Sequence, residues 1–187
     1  ACVYQELNIV KLLSVTDNIF MGHTIRKKNG LLDYARMDQE ARILLDALGH
    51  PEVDVHTEAG KLGMGLQQMV EIAKCLSLNA KLIIMDEPTS SLGEREVEQL
   101  MQTVRGLKEK GIAILFVSHK LEELFELCDR VTVIRDGEHI CTDDIGNFTN
   151  ESLIQAMVGR SLDNLYPKEF GTKGPVFLEA RNLNSAG

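Results

Sequence analysis

Apolar positions along the chain follow two patterns, helix-spaced stripes and short continuous runs. Stripes with three- and four-residue spacing cover residues 37–48, 66–76 and 97–107, and each predicts an amphipathic helix. Continuous apolar runs at residues 82–85 and 112–117 predict buried strands. Runs of this kind are typical of parallel sheets that are covered on both faces. We therefore expect a parallel sheet in which residues 82–85 form a central strand with both faces covered.

Shorter patterns and turn residues predict the remaining elements. Ser14 is expected to cap a short helix, with Asp17 at the position that completes a capping box. An apolar stripe over residues 121–128 predicts another short helix, and residues 149–157 predict a third. Between the last two, residues 130–140 contain an Asp-Gly pair flanked by apolar residues, which is the turn signal of a β-hairpin.

The composition is that of an ordinary globular protein, and it argues against several classes. Of 187 residues, 44% are hydrophobic and 26% are charged, and the net charge of −8 disfavours a nucleic-acid partner or an anionic membrane surface. No apolar run is long enough to span a bilayer. The four cysteines show no CxxC pairing, and Cys75 and Cys128 fall on apolar helix faces. We expect buried thiols rather than disulfides or zinc ligands.

Two acids, Asp86 and Glu87, directly follow the central predicted strand. Ligands of open α/β sheets bind at the carboxyl ends of the strands, so both side chains stand where a ligand would lie. One carboxylate could hold Mg²⁺ through its water shell and the next could take a proton from water, which together suit phosphoryl transfer. A solvated strand end before a helix N-cap would show the same residues, so the acids alone leave both interpretations open.

His119 and a pair of glycines add further candidate positions. His119 follows the next predicted strand, and because parallel strands end at one edge it could face the same ligand as Glu87. A hydrogen-bonded surface histidine is the ordinary alternative. Gly63 and Gly65 precede the helix at residues 66–76, where backbone N–H groups and the helix dipole favour an anion. A plain glycine-rich turn before a helix is the other interpretation.

Four sequence motifs occur in the order found in ATP-binding cassette (ABC) ATPases, and the chain resembles that family. YQEL is similar to the family's Q-loop, LGMGLQQMVEIAK to its signature motif, LIIMDEPTSSL to its Walker B motif and D-loop, and VSHK to its switch-histidine segment. The segments VEIAK, MDEPTSSL, VIRDG and MVGRSL resemble the first cassette of bacterial sugar importers, whose ATPases carry two cassettes in one chain. GLLDY and the LGxG signature are most similar to the xylose-importer branch.

This resemblance implies an α/β fold, a P-loop NTPase-like ABC nucleotide-binding domain with an inserted helical subdomain at about residues 14–77. Residues 1–160 would be a partial first cassette, residues 161–175 a linker, and residues 176–187 the start of a second cassette. No GxxxxGK[ST] motif occurs, so we expect the Walker A motif and the N-terminal strands to precede this chain, which lacks an initiator Met. The chain alone is then expected to bind ATP poorly and not to hydrolyse it.

The resemblance also implies roles for the residues that follow the predicted strands. Gln5 would contact Mg²⁺ and the attacking water, and Asp86 would hold Mg²⁺ through water. Glu87 would be the catalytic general base, and His119 the second catalytic residue, in contact with the γ-phosphate of ATP. Together these four residues would form the half of the ATP site that this chain contributes to its own cassette.

The signature and D-loop residues are implied to face the nucleotide of an opposing cassette. The signature residues that would cap this ATP are Leu62, Gly63, Met64, Gly65 and Leu66. The D-loop residues between the two sites would be Ser90, Ser91 and Leu92. Three positions depart from the family pattern, because Gly63 stands where serine is usual, Leu66 where glutamine is usual and Gly93 where an acid is usual. We expect the site built on this signature to be weak or regulatory.

The function that the resemblance implies is that of the ATP-hydrolysing subunit of an ABC importer for a monosaccharide, with ATP and Mg²⁺ as ligands. Its partners would be a second cassette of the same chain or a second copy, transmembrane permease subunits and, indirectly, a periplasmic or extracellular sugar-binding protein, without nucleic acid. It would lie at the cytoplasmic face of the plasma membrane. The alternatives are a soluble ABC ATPase that remodels ribosomes or DNA, which basic linkers or long coiled coils would indicate, and a catalytically inactive fragment.

Overall fold

The computed structural model describes residues 1–159 and contains, within them, six α-helices and five strands. In chain order these are β1 (Cys2–Val3), α1 (Val15–Ile19), α2 (Tyr34–Ala47), α3 (Met64–Ser77), β2 (Leu82–Asp86), α4 (Glu94–Glu109), β3 (Ala113–Val117), α5 (Leu121–Leu127), β4 (Arg130–Arg135), β5 (Glu138–Asp144) and α6 (Asn150–Val158). Each helix predicted from the apolar stripes is present, with ends displaced by a few residues. No helix in this described part is both long and apolar enough to cross a membrane.

The three-stranded sheet is parallel, with β2 between β1 and β3. Val3 pairs with Met85, and Met85 pairs in turn with Phe116, so the three strands end at the same edge. Val3, Ile83 and Met85 are fully buried in a core cluster with residues of α3 and α4. The predicted central strand and the α/β fold are therefore confirmed, and the carboxyl ends of all three strands lie together.

The expectation that the predicted strands are covered on both faces is wrong for β3. The side chains of Ala113, Leu115 and Val117 point to an exposed face, and Leu115 retains 52% of its accessible surface. No helix among residues 1–159 buries this face of β3, which is an edge strand in the described sheet. A continuous apolar run shows that a strand is apolar on both faces, but it does not show whether a layer covers each face.

Helices α1, α2 and α3 pack against one another in the region predicted to be a helical subdomain. The Ser14 side chain caps α1 by accepting a hydrogen bond from the Asp17 amide at 3.0 Å, as predicted. Asn18 of α1 fastens the segment before it, because its amide group bonds both the N–H and the carbonyl of Val10. The chain that follows Gln5 is thereby tied to the helices.

Contacts divide the described residues into two units. The first contains residues 1–131 and 142–147, and the second contains residues 132–141 and 148–159. In the second unit, Asp136 and Gly137 both have positive φ angles, 53° and 79°, as the predicted Asp-Gly hairpin turn requires. The linker and second-cassette strand predicted for residues 161–175 and 176–187 lie outside the described residues.

All four cysteines are free thiols, but the expected burial is confirmed only for Cys75, in α3, because Cys2, Cys128 and Cys141 are half-buried. Burial and, to a smaller extent, the nearby Glu71 carboxylate raise the pKa of the Cys75 thiol to about 11. Because only the thiolate is nucleophilic, we expect iodoacetamide at pH 8 to modify Cys75 on the order of 100-fold more slowly in the folded chain than in the urea-unfolded chain. Mass spectrometry of the alkylated peptides measures both rates, and equal rates would contradict the buried position.

Candidate functional site

Three side chains that lie far apart in the sequence meet where the parallel strands end. Gln5 follows β1, Glu87 follows β2, and His119 follows β3. Gln5 Nε2 donates to Glu87 Oε2 at 3.3 Å, and His119 Nδ1 lies 3.0 Å from Glu87 Oε1. Both oxygens of the Glu87 carboxylate therefore contact a residue from a neighbouring strand end. This arrangement is hereafter called the Gln5–Glu87–His119 cluster.

The backbone of Glu87 has an unusual conformation that places its side chain in this cluster. Its φ angle is +43°, in the left-handed region that non-glycine residues rarely adopt. The Glu87 amide donates to the Val117 carbonyl at 2.9 Å, and the Glu87 carbonyl accepts from the Ser90 amide at 3.1 Å. Strained backbone of this kind is frequent at functional sites, where the surrounding structure holds it in place.

The side chains of the cluster are partly open to solvent. The Glu87 side chain is 30% exposed and the His119 side chain is 65% exposed. Each Glu87 oxygen has two lone pairs, and the contacts with Gln5 and His119 use one on each oxygen, so the carboxylate can still accept a hydrogen bond from water. Chemically, the cluster can orient a water molecule and take a proton from it.

Asp86 ends β2 and is half-buried beside the cluster. Within residues 1–159, no hydrogen bond or ion pair engages its carboxylate, so its oxygens are available to a ligand. Gln5 donates through its nitrogen and keeps its amide oxygen as a further hard donor. In the described part of the chain, no group of three or more His, Cys, Asp or Glu residues could enclose a metal. The Asp86 carboxylate and the Gln5 amide oxygen fit a Mg²⁺ ion that keeps most of its water shell and contacts few protein oxygens.

The predicted signature residues form the N-terminus of α3. Gly63 is the N-cap in an extended conformation, and no side-chain hydrogen bond of its own caps the helix. The Leu62 carbonyl accepts a hydrogen bond from Gln67 Nε2 at 2.8 Å. Leu62 and Leu66 are half-buried and pack against the core cluster, whereas Met64 is exposed. The apolar side chain of Leu66 is therefore partly covered by the core cluster.

The predicted D-loop residues lie between β2 and α4. Ser90 and Ser91 are exposed, and Leu92 packs against the core cluster. The loop is held from the β3 side by Lys120, whose Nζ donates to the carbonyl and hydroxyl oxygens of Thr89 at 3.4 and 3.2 Å. Sequence reasoning did not single out Lys120, although it directly follows His119.

Glu96, in the first turn of α4, is a second residue that sequence reasoning missed. Its carboxylate accepts hydrogen bonds from the Gly65 amide at 3.1 Å and from the Gly93 amide at 3.0 Å. It thus joins the predicted signature to the end of the predicted D-loop. Its spacing of three residues from the N-cap was a signal for the bond to Gly93, but the bond to Gly65 spans 31 residues and had no local signal.

The predicted residues therefore form two groups in the structure. Gln5, Glu87 and His119 are joined directly, while Gly65 and Gly93 are joined through Glu96. Within residues 1–159, no hydrogen bond links one group to the other. The first group, with Asp86 beside it, provides a candidate general base and candidate metal ligands. The second group lies at the N-terminus of α3.

Comparisons with known proteins identify related sequences. A family profile described as ABC transporter matches residues 1–90. The ribose import ATP-binding protein RbsA of Chromobacterium violaceum is 45% identical over 183 residues, which are 98% of this chain and 36% of that protein. The galactose/methyl galactoside import ATP-binding protein MglA of Escherichia coli K12 has the same identity and coverage. The chain thus spans about a third of the length of the curated relatives it matches.

Solved structures show the same fold at lower sequence identity. The ATP-binding cassette MJ1267 of an ABC transporter is 24% identical with a TM-score of 0.69, over 84% of this chain and 67% of that one. The cassette MJ0796, solved as a dimer in a post-hydrolysis state with ADP and Pi, is 25% identical with a TM-score of 0.62, over 79% of this chain and 63% of that one. Residues 1–90 thus match the ABC transporter family, and the fold of the described residues is that of an ATP-binding cassette.

Proposed function

We propose that this chain forms part of the first of two cassettes in the ATP-hydrolysing subunit of a bacterial monosaccharide importer. The observation that carries the proposal is the Gln5–Glu87–His119 cluster, because it places a carboxylate base between two polar partners at the edge of the sheet. The names of the relatives, which are import ATP-binding proteins for ribose and for galactose, support a monosaccharide as the cargo. The complete subunit, with both cassettes, is called the full-length protein below.

The residues of the cluster have distinct tasks in the proposed reaction. Glu87 takes the proton from the water that attacks the γ-phosphate, and its contacts with Gln5 and His119 orient its two oxygens. Asp86 would hold Mg²⁺ through water and Gln5 would contact it, and the ion would supply positive charge to the phosphate oxygens. His119 donates to the γ-phosphate. Leu62 to Leu66 and Ser90 to Leu92 lie towards the ATP of the second cassette.

The proposed partners are a second cassette and a pair of permease subunits at the cytoplasmic face of the membrane. The segment that follows Gln5 supports the permease contact, since its apolar residues Val10, Leu12 and Leu13 are exposed and Leu12 retains 83% of its surface. Asn18 bonds this segment to α1, so a contact made there is connected to the helices. A sugar-binding protein outside the membrane would deliver the cargo to the permease.

Reconstitution of the full-length protein with its permease in vesicles tests the proposal. We expect Mg²⁺-dependent ATP hydrolysis and ATP-driven uptake of a radiolabelled monosaccharide, with ribose, galactose and xylose tested in parallel. Vesicles that lack the subunit provide the control. ATP hydrolysis that is stimulated by ribosomes or DNA, without uptake of any sugar, would favour the remodelling class instead, and no hydrolysis at all would favour an inactive cassette.

A further inference from the structure

Glu96 stands at the N-terminus of α4 and reaches the N-terminus of α3 across a gap between the two helices. It is half-buried, and each of its carboxylate oxygens accepts one backbone N–H, Oε1 from Gly65 and Oε2 from Gly93. The approach to α3 is close, because a Cβ atom at position 65 would lie 2.9 Å from Oε1. A side chain at residue 65 would displace this carboxylate, so the contact depends on glycine at that position.

The carboxylate occupies the part of α3 where an anion is most favoured. The first amides of a helix lack partners inside the helix, and the helix dipole places partial positive charge there. Gly63, the N-cap of α3, has no side chain to satisfy these amides. Glu96 therefore supplies from α4 the negatively charged acceptor that the signature segment does not supply for itself.

We propose that the Glu96 carboxylate competes with phosphate for the N-terminus of α3. To bind there, the γ-phosphate of the opposing cassette's ATP must displace this carboxylate from the Gly65 amide. This inference rests on the function proposed above, in which the signature segment faces that nucleotide. One N–H cannot donate a full hydrogen bond to both a carboxylate and a phosphate, and the two anions repel each other at this distance. Glu96 also accepts a hydrogen bond from the Gly93 amide, at the end of the D-loop. When ATP displaces the Glu96 carboxylate from Gly65, the movement of this side chain therefore also affects the D-loop.

A purely structural role for Glu96 predicts the opposite change in affinity. If the carboxylate only caps two helices, its removal loosens the signature segment and weakens ATP binding. If it competes with phosphate, its removal frees the Gly65 amide and strengthens ATP binding. The sign of the change therefore separates the two roles.

The test uses the full-length protein with Glu87→Gln and the non-hydrolysable analogue Mg·AMP-PNP in place of Mg·ATP, because Glu87 serves the other site and its replacement alone does not stop hydrolysis at the signature-facing site. Equilibrium dissociation constants for Mg·AMP-PNP and Mg·ADP are measured for this parent and for added Glu96→Gln and Glu96→Ala. We expect both added changes to tighten AMP-PNP binding at the signature-facing site by about threefold to tenfold, the scale of one competing charged hydrogen bond. ADP lacks the γ-phosphate, so its affinity should not change. Glu94→Gln, an equal change of charge at an exposed residue of the same helix turn, is the matched control.

Comparing AMP-PNP with ADP in one variant distinguishes competition from a folding defect, because a folding defect would weaken the binding of both nucleotides. Unchanged or weaker AMP-PNP binding in both Glu96 variants, with a parent that binds AMP-PNP, overturns the competitor role and leaves the proposed function standing. An equal gain in the Glu94→Gln control would also overturn it, since the effect would then be general electrostatics. A parent that binds no AMP-PNP contradicts the proposed function itself, and this inference with it.

Discussion

Glu87→Gln in the full-length protein is expected to lower the rate of ATP hydrolysis at the first cassette's own site by about 10²–10⁴-fold and to leave ATP binding intact. The glutamine has nearly the same shape as Glu87 and can still contact Gln5 and His119, but its amide cannot take a proton from water. Steady-state hydrolysis gives kcat, and equilibrium binding of Mg·ATP to the same preparation gives Kd. The effect should therefore appear in kcat alone.

The matched control for this experiment is Glu122→Gln, the same chemical change at an exposed carboxylate in the first turn of α5. It should keep the parental kcat. If Glu87→Gln also kept the parental kcat, Glu87 would not be the base. If instead the variant lost ATP binding together with hydrolysis, the carboxylate would act in holding the nucleotide or the fold.

His119→Ala is expected to slow hydrolysis by about 10–100-fold, with a smaller effect on ATP binding. The alanine removes the partner of Glu87 Oε1, which lies 3.0 Å from His119 Nδ1, and it removes the imidazole that faces the phosphate in the proposed reaction. Glu87 then keeps only its contact with Gln5, at 3.3 Å, and loses part of its orientation. The measurement is again kcat for ATP hydrolysis by the full-length protein.

Two further variants make the result for His119 specific. His119→Gln retains a polar side chain of similar reach and should recover part of the lost rate, whereas loss of folding would not be recovered in this way. His56→Ala removes an exposed histidine that contacts Asp38 at 3.6 Å and should leave kcat unchanged. Parental activity in His119→Ala would remove His119 from the reaction and reduce the cluster to Glu87 and Gln5.

Local physical preferences explain why the sequence by itself predicts the elements of this fold. The helix stripes, the Ser14 cap and the Asp-Gly hairpin turn depend on residues close together in the chain, and each appears where the pattern placed it. The position of Asp86 and Glu87 at a strand end follows in the same way, because the apolar run and the acids adjoin. A parallel sheet then requires that residues after neighbouring strands share an edge.

Tertiary structure alone decided which side chains meet and which faces are covered. Glu87 contacts Gln5 across 82 residues and His119 across 32, and its φ angle of +43° depends on bonds to Val117 and Ser90 that no local pattern encodes. The exposed face of β3 likewise depends on what packs beside it. Glu96 joins two glycine amides because α3 and α4 begin next to each other in space, and contacts between sequence-distant backbones leave no periodic signal in the chain.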